Sequence, residues 1–301
     1  MTPSGPLASE PERVRLFGQD VAVIELSQRL DNATSEFEPM PHRIEYFDHE
    51  DTAGQVEEKY GLPRELWLDG LVWAHERVTL TTHSGTHIDA PYHYHPTSGG
   101  NPARRIDEIP FRWVMGDGVL LDMRGCDRVE GIREHDVRRV LAEIGYQLKP
   151  FDIVLVRTDV SRHYGQPGYE MRHPGLRRDA TSYMVRQGVR LIGIDAWGLD
   201  RAFDVMAEEA LAGDTAQLWE SHKFGAESEY CQIEKLCNLE QLPAATGFTV
   251  LALPVRLASA SAAWARVVAL VPETALTTPN TRSVTERVVA SDQGASSLPR
   301  T

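Results

Sequence analysis

From His83 to His93 the chain reads His-Ser-Gly-Thr-His-Ile-Asp-Ala-Pro-Tyr-His, and no other stretch so narrows the backbone it can adopt. Counted from His83, the other side chains able to hold a metal, His87, Asp89 and His93, stand at offsets of four, six and ten, all even. On a helix His83 and His87 would share a face, but Asp89 would point away from both, and Gly85 and Pro91 would weaken the helix. On extended backbone every even offset projects to the same side, so a strand, or a strand running into a turn, lets the four converge. Gly85 allows close approach of backbone or ligand, and Pro91 stiffens the turn.

Imidazole and carboxylate together suit Zn²⁺, with Mn²⁺ or Fe²⁺ admitted where carboxylate and water fill more of the shell. A zincin helix needs Glu directly after its first His, and Ser84 stands there instead. No cysteine lies near the run, which argues against a structural thiolate site. The competing reading is a histidine-rich surface loop, or histidines satisfied separately in a core.

A chain of 301 residues, 42% of them hydrophobic, can bury a sizeable core, and one α/β domain with insertions is the simplest organisation. A net charge of −13 argues against a nucleic-acid or anionic-membrane partner, which would demand clustered positive charge. Cys126, Cys231 and Cys237 form no Cys-x-x-Cys pair, so buried thiols in a reducing cytoplasm are expected. No segment has the apolar length of a membrane span, and no basic patch followed by an apolar run marks the N-terminus.

Along the chain, residues 1–17 are expected to be a flexible arm, 18–271 the folded domain, and 272–301, rich in Thr, Ser and charge, a flexible tail. Residues 21–26 read as a buried strand. Residues 31–66 read as irregular, with His42 and His49 on surface loops. Residues 76–81 alternate like a strand that delivers His83 to its end. Trp67 and Trp73, just before it, are either pocket walls or packing aromatics. His95 is expected behind the site or in solvent, followed by a turn-rich loop at 96–102. Val137, Val140, Leu141 and Ile144 repeat at helical spacing and stop at Gly145. Strands at 118–122, 152–157 and 189–195 alternate with this helix and a second at 179–187, in the α/β manner, and strands at 248–254 and 265–271 complete the sheet.

The pattern His-x-Gly-Thr-His-x-Asp-x-Pro-x-His resembles the signature of the cyclase family, which includes bacterial kynurenine formamidases, isatin hydrolase-like enzymes and proteins of aromatic polyketide pathways. Gly193-Ile194-Asp195-Ala196 and Ile233-Glu234-Lys235-Leu236-Cys237-Asn238-Leu239 also resemble family stretches. The resemblance implies a swivelling β/β/α domain with His83, His87 and Asp89 at one metal position. Asp89 would bridge to a second position formed by His222 and by Glu234, twelve residues later. It implies one or two Zn²⁺ ions, or Mn²⁺, and His93 as general acid/base, with a ligand role for His93 as the alternative. It further implies a homodimer or homotetramer acting on a small aromatic substrate, and Trp197, where many relatives have a smaller residue, becomes a candidate specificity residue. The expected activity is hydrolysis of a small aromatic amide, formamide, lactam or ester by a metal-activated water. An aldol cyclase of aromatic polyketides would use the same centre, and a metal-binding or ligand-binding protein without turnover is the third reading.

Overall fold

The structure, a computed structural model, describes residues 11–38 and 40–273. Thirteen strands are present among them: β1 (Glu12–Leu16), β2 (Gln19–Glu25), β3 (Arg43–Phe47), β4 (His75–Thr79), β5 (His87–Asp89), β6 (Thr97–Ser98), β7 (Asn101–Pro102), β8 (Met115–Asp122), β9 (Ile153–Arg157), β10 (Leu191–Ile194), β11 (Cys231–Glu234), β12 (Phe248–Pro254) and β13 (Ala262–Pro272). The helices are α1 (His49–Tyr60), α2 (Pro91–Tyr94), α3 (Phe111–Val114), α4 (Glu134–Ile144), α5 (Arg178–Arg186), α6 (Phe203–Leu211) and α7 (Glu220–Gly225), with short 3₁₀ turns between them.

Seven strands close on themselves in the order β5, β13, β12, β8, β9, β10, β11 and back to β5. The length of β13 makes closure possible. Its first residues pair with β5, Ala262 opposite Asp89 and Trp264 opposite His87, and its last, from Val268, pair with β2. β8 to β11 run parallel to one another. Both faces of such strands are covered, and Ile153, Val154, Leu155 and Val156 are accordingly all fully buried. Alternate residues serve different cores. Leu120, Ile153, Leu155, Leu191 and Ile233 pack inside the barrel, whereas Val119, Leu121, Val154, Val156, Ile192 and Ile194 pack against α4 and α5. The helix expected to carry Val137 to Ile144 and stop at Gly145 is present as α4, with Val137, Val140 and Leu141 buried and Gly145 left-handed at its end.

Three expectations are corrected. Part of the N-terminal arm is strand: β1 pairs antiparallel with β2 over its whole length, while residues 1–10, and the tail from 274 onward, lie outside the described residues. The 31–66 region is not irregular, since β3 pairs with β4 and α1 is closed by a capping box of Asp48 and Asp51. That helix buries only Thr52, Ala53 and Val56, too short an apolar stripe to register as a period. His42 is buried rather than on a surface loop, with Nε2 donating to the Asp31 carbonyl at 2.7 Å. Trp67 and Trp73 meet edge to face at 6.2 Å, and Trp67 packs on Ala53, Val56 and Val72, away from the cavity described below. No helix among the described residues is long and apolar enough to cross a membrane.

Candidate metal centre

The 83–93 run is less extended than its parity suggests. Only His87–Asp89 form a strand; His83 comes from the turn before it, and His93 from α2, which Pro91 starts. Convergence survives because β5 is clamped on both sides. The β11 register sets Glu234 opposite His87, with Asp89 two residues along the same face. Thr86 anchors the run, its hydroxyl donating to the Lys235 carbonyl at 2.6 Å and accepting the Gln28 N–H at 2.8 Å. Tyr94 of α2 lies so close to α7 that a side chain on Gly225 would meet its ring at 2.2 Å, and this contact brings His93 beside His222, ring centres 5.4 Å apart.

Two triads result, His83 with Asp89 and His93, and His87 with Asp89 and Glu234, each with ligand atoms within 4.8 Å of one another. Asp89 belongs to both. Its Oδ1 lies 2.9 Å from His83 Nδ1 and 3.4 Å from His87 Nε2, which is 3.5 Å from Glu234 Oε2. His87 Nδ1 donates to the Gly85 carbonyl at 2.9 Å, which leaves Nε2 as the lone-pair nitrogen facing the carboxylates. That nitrogen and both Asp89 oxygens are buried with no hydrogen bond in acceptable geometry. Orphaned acceptors converging in this way fit a cation.

His222 stands outside both triads but lines the same cavity, with Nδ1 2.5 Å from Asp200 Oδ2. His95 is exposed and bonded to Thr97, away from the centre.

Burial pushes the Asp89 carboxyl up, but the imidazoles of His93, His87 and His83 outweigh it and hold the group well below the usual range. For His87 burial lowers the pKa, and Asp89 with Glu234 more than reverses this. Burial, and then the Asp89 charge, raise Glu234. His93, desolvated and surrounded by three other imidazoles, falls to about 4 despite Asp89.

A cavity of ≈ 240 Å³ opens beside the triads, with Trp197, Phe203, Met206 and Trp219 forming an apolar wall. The Trp219 indole stacks on His222 at 5.0 Å. Three residues of this cavity were assigned no role from the sequence, although Lys235 lies in the stretch around Glu234 that carries the resemblance. His173 is buried with Nε2 donating to the Asp200 carbonyl, Asp200 holds His222, and Lys235 pairs with Glu38 and donates to the His83 carbonyl at 3.0 Å. Each stands far along the chain from its partner, so only a structure could reveal them.

The fold and centre thus define a mixed α/β barrel protein with a carboxylate-and-imidazole site beside an apolar pocket. Residues 24–201, more than half the chain, match the family described as Putative cyclase, and the chain belongs to that family. Kynurenine formamidases of Bacillus cereus and Bacillus cytotoxicus are each 27% identical over 124 residues, 41% of this chain and 52% of those proteins. The chain therefore spans about half the length of the curated relatives it matches. In fold it is similar to an isatin hydrolase bound to the product analogue thioisatinate (TM-score 0.67, 21% identity, covering 84% of this chain and 93% of that one). It is also similar to isatin hydrolase A from Labrenzia aggregata bound to benzyl benzoate (TM-score 0.64, 23% identity, 84% and 94%).

Proposed function

We propose that this chain is a metal-dependent hydrolase that uses water to open a small aromatic amide, formamide, lactam or ester. The observation that carries the reading is the set of orphaned buried atoms, His87 Nε2 and both Asp89 oxygens, packed directly behind His83, His93 and Glu234, which line an apolar cavity. His83, His87 and Asp89 would hold one Zn²⁺ or Mn²⁺, and Asp89 with Glu234 and His222 a second. When bound, the cation supplies polarisation of a carbonyl and acidification of water.

The remaining work falls to the chain. Trp197, Phe203 and Trp219 offer flat faces that exclude water and orient an aromatic ring. His93, within reach of Asp89, accepts the proton released as water attacks and returns it to the departing nitrogen or oxygen. The Gly85 carbonyl fixes the His87 tautomer, so that ring points the same nitrogen inward throughout. The relatives named for kynurenine formamidase and isatin hydrolase activity support a hydrolytic rather than a condensing reaction.

The test is elemental analysis of purified protein together with turnover of N-formylkynurenine and isatin, repeated on Asp89→Ala. The proposal expects one or two Zn or Mn per chain in the wild type, and loss of both metal and turnover in the variant. Absence of metal after reconstitution would overturn it. Metal without hydrolysis of any amide, lactam or ester would replace hydrolysis with aldol cyclisation.

A further inference from the structure

Glu234 and His222 lie on different elements, yet consecutive residues of one loop hold them. The loop leaves the end of β10, and the Leu199 N–H donates to Glu234 Oε1 at 3.1 Å. The next residue, Asp200, receives three donors: Ser221 N–H on Oδ1 at 2.7 Å, and His222 N–H and His222 Nδ1 on Oδ2 at 3.1 and 2.5 Å. The loop itself is fixed from behind. Leu176 N–H donates to the Leu199 carbonyl at 2.7 Å, and His173 Nε2 donates to that of Asp200 at 2.9 Å. A side chain on Gly175 would sit 2.2 Å from the Asp200 carbonyl, so the two backbones touch.

An ionised carboxylate only accepts, so the proton on the His222 ring must sit on Nδ1 when the ring is neutral. Nε2 then carries the lone pair. Among the described residues no hydrogen bond engages that nitrogen, and the ring lines the cavity beside His93.

We propose that Asp200 is a positioning residue that fixes the Nδ1-protonated tautomer of His222 and so turns Nε2 into the cavity as an electron-pair donor. The proposal rests on the metal-centre reading above and deepens it, giving the second cation position a ligand whose orientation is set from outside the centre. The plainer role of the same carboxylate is to cap the first amides of α7, and the two roles make different predictions about the ring.

The test uses metal-free protein at alkaline pH, where imidazole is neutral, with ¹⁵N-labelled histidine and long-range ¹⁵N–¹H correlation spectra. His222 is expected in the Nδ1-protonated form in the wild type and to shift toward the Nε2-protonated form in Asp200→Ala. His87, anchored by Gly85 instead, should keep its Nδ1-protonated form in both. Zn²⁺ affinity measured by chelator competition should fall by roughly 10- to 100-fold in the variant, the usual effect of removing a group that orients a ligand. An Nε2-protonated His222 in the wild type overturns the proposal, and this reading needs no variant. An unchanged His222 tautomer in Asp200→Ala, unchanged Zn²⁺ affinity, or a change at both rings, which would mark a merely structural cap, overturns it as well. Loss of the hydrolase reading through absent turnover leaves tautomer and affinity untouched, and absence of metal removes the affinity readout but not the tautomer, so the two can fail separately.

Discussion

Acidification should weaken this protein through His173, and the amount follows from its surroundings. The ring is buried, donates Nε2–H to the Asp200 carbonyl, and has no hydrogen-bond partner at Nδ1. The Asp200 carboxylate offsets part of the burial, and the next charges, Arg128 and Asp204, are paired with each other. Burial brings the pKa from 6.5 down to about 4. As pH falls below 6.5 the unfolded chain takes up a proton at this residue and the folded one does not, so stability present at neutral pH is lost on the way down to about 4. Between about pH 7.5 and about pH 4.5 the loss is roughly 2.5 kcal/mol, at about 1.36 kcal/mol per pH unit over most of that window. Against a total stability of about 5–15 kcal/mol this is a large fraction. His173→Gln places an amide N–H where Nε2 sits but cannot titrate. Urea unfolding of both proteins without metal should show them parallel above about pH 7 and diverging below it, with the wild type losing roughly 2.5 kcal/mol more by about pH 4.5. Identical pH dependence of the two would refute the reasoning.

Lys235 is buried in a left-handed conformation (φ 59°) and pairs with Glu38, so Lys235→Met should leave a buried carboxylate unpaired and destabilise by about 3–5 kcal/mol in urea unfolding. Recovery of part of that loss by adding Glu38→Gln is expected; no loss in the single variant would disprove a buried pair. Gly175→Ala should destabilise by more than about 2 kcal/mol, because φ is 61° and the new carbon would overlap the Asp200 backbone; a thermal melt within a degree or so of wild type contradicts this. Trp219→Ala should raise KM for an aromatic substrate by roughly 2- to 12-fold, the worth of one aromatic contact at about 0.5–1.5 kcal/mol, and an unchanged KM would remove Trp219 from the binding wall.

Several elements were legible in the sequence because their signal is local. Helix α4 declares itself by a strong apolar stripe and a glycine stop, and the parallel strands by short apolar runs. Helix α1 left little trace, since three small buried residues do not make a stripe, and its capping box lies in a charge-rich stretch that reads as loop. Closure of the sheet was not legible at all. It depends on β13 pairing with β5 at one end and β2 at the other, a matter of register between strands far apart in the chain.

The sequence by itself put three candidate donors within reach of one another, because His83, His87 and Asp89 fall within a seven-residue run whose even spacing suits convergence on one side. Only the tertiary structure decided how those donors are used. It set Glu234 opposite His87 through strand register, brought His93 to His222 by packing Tyr94 on Gly225, and joined His173, Asp200 and His222 through one loop. Side-chain parity is a property of neighbouring residues, whereas the position of a ring proton depends on whichever distant carbonyl or carboxylate the fold places against it.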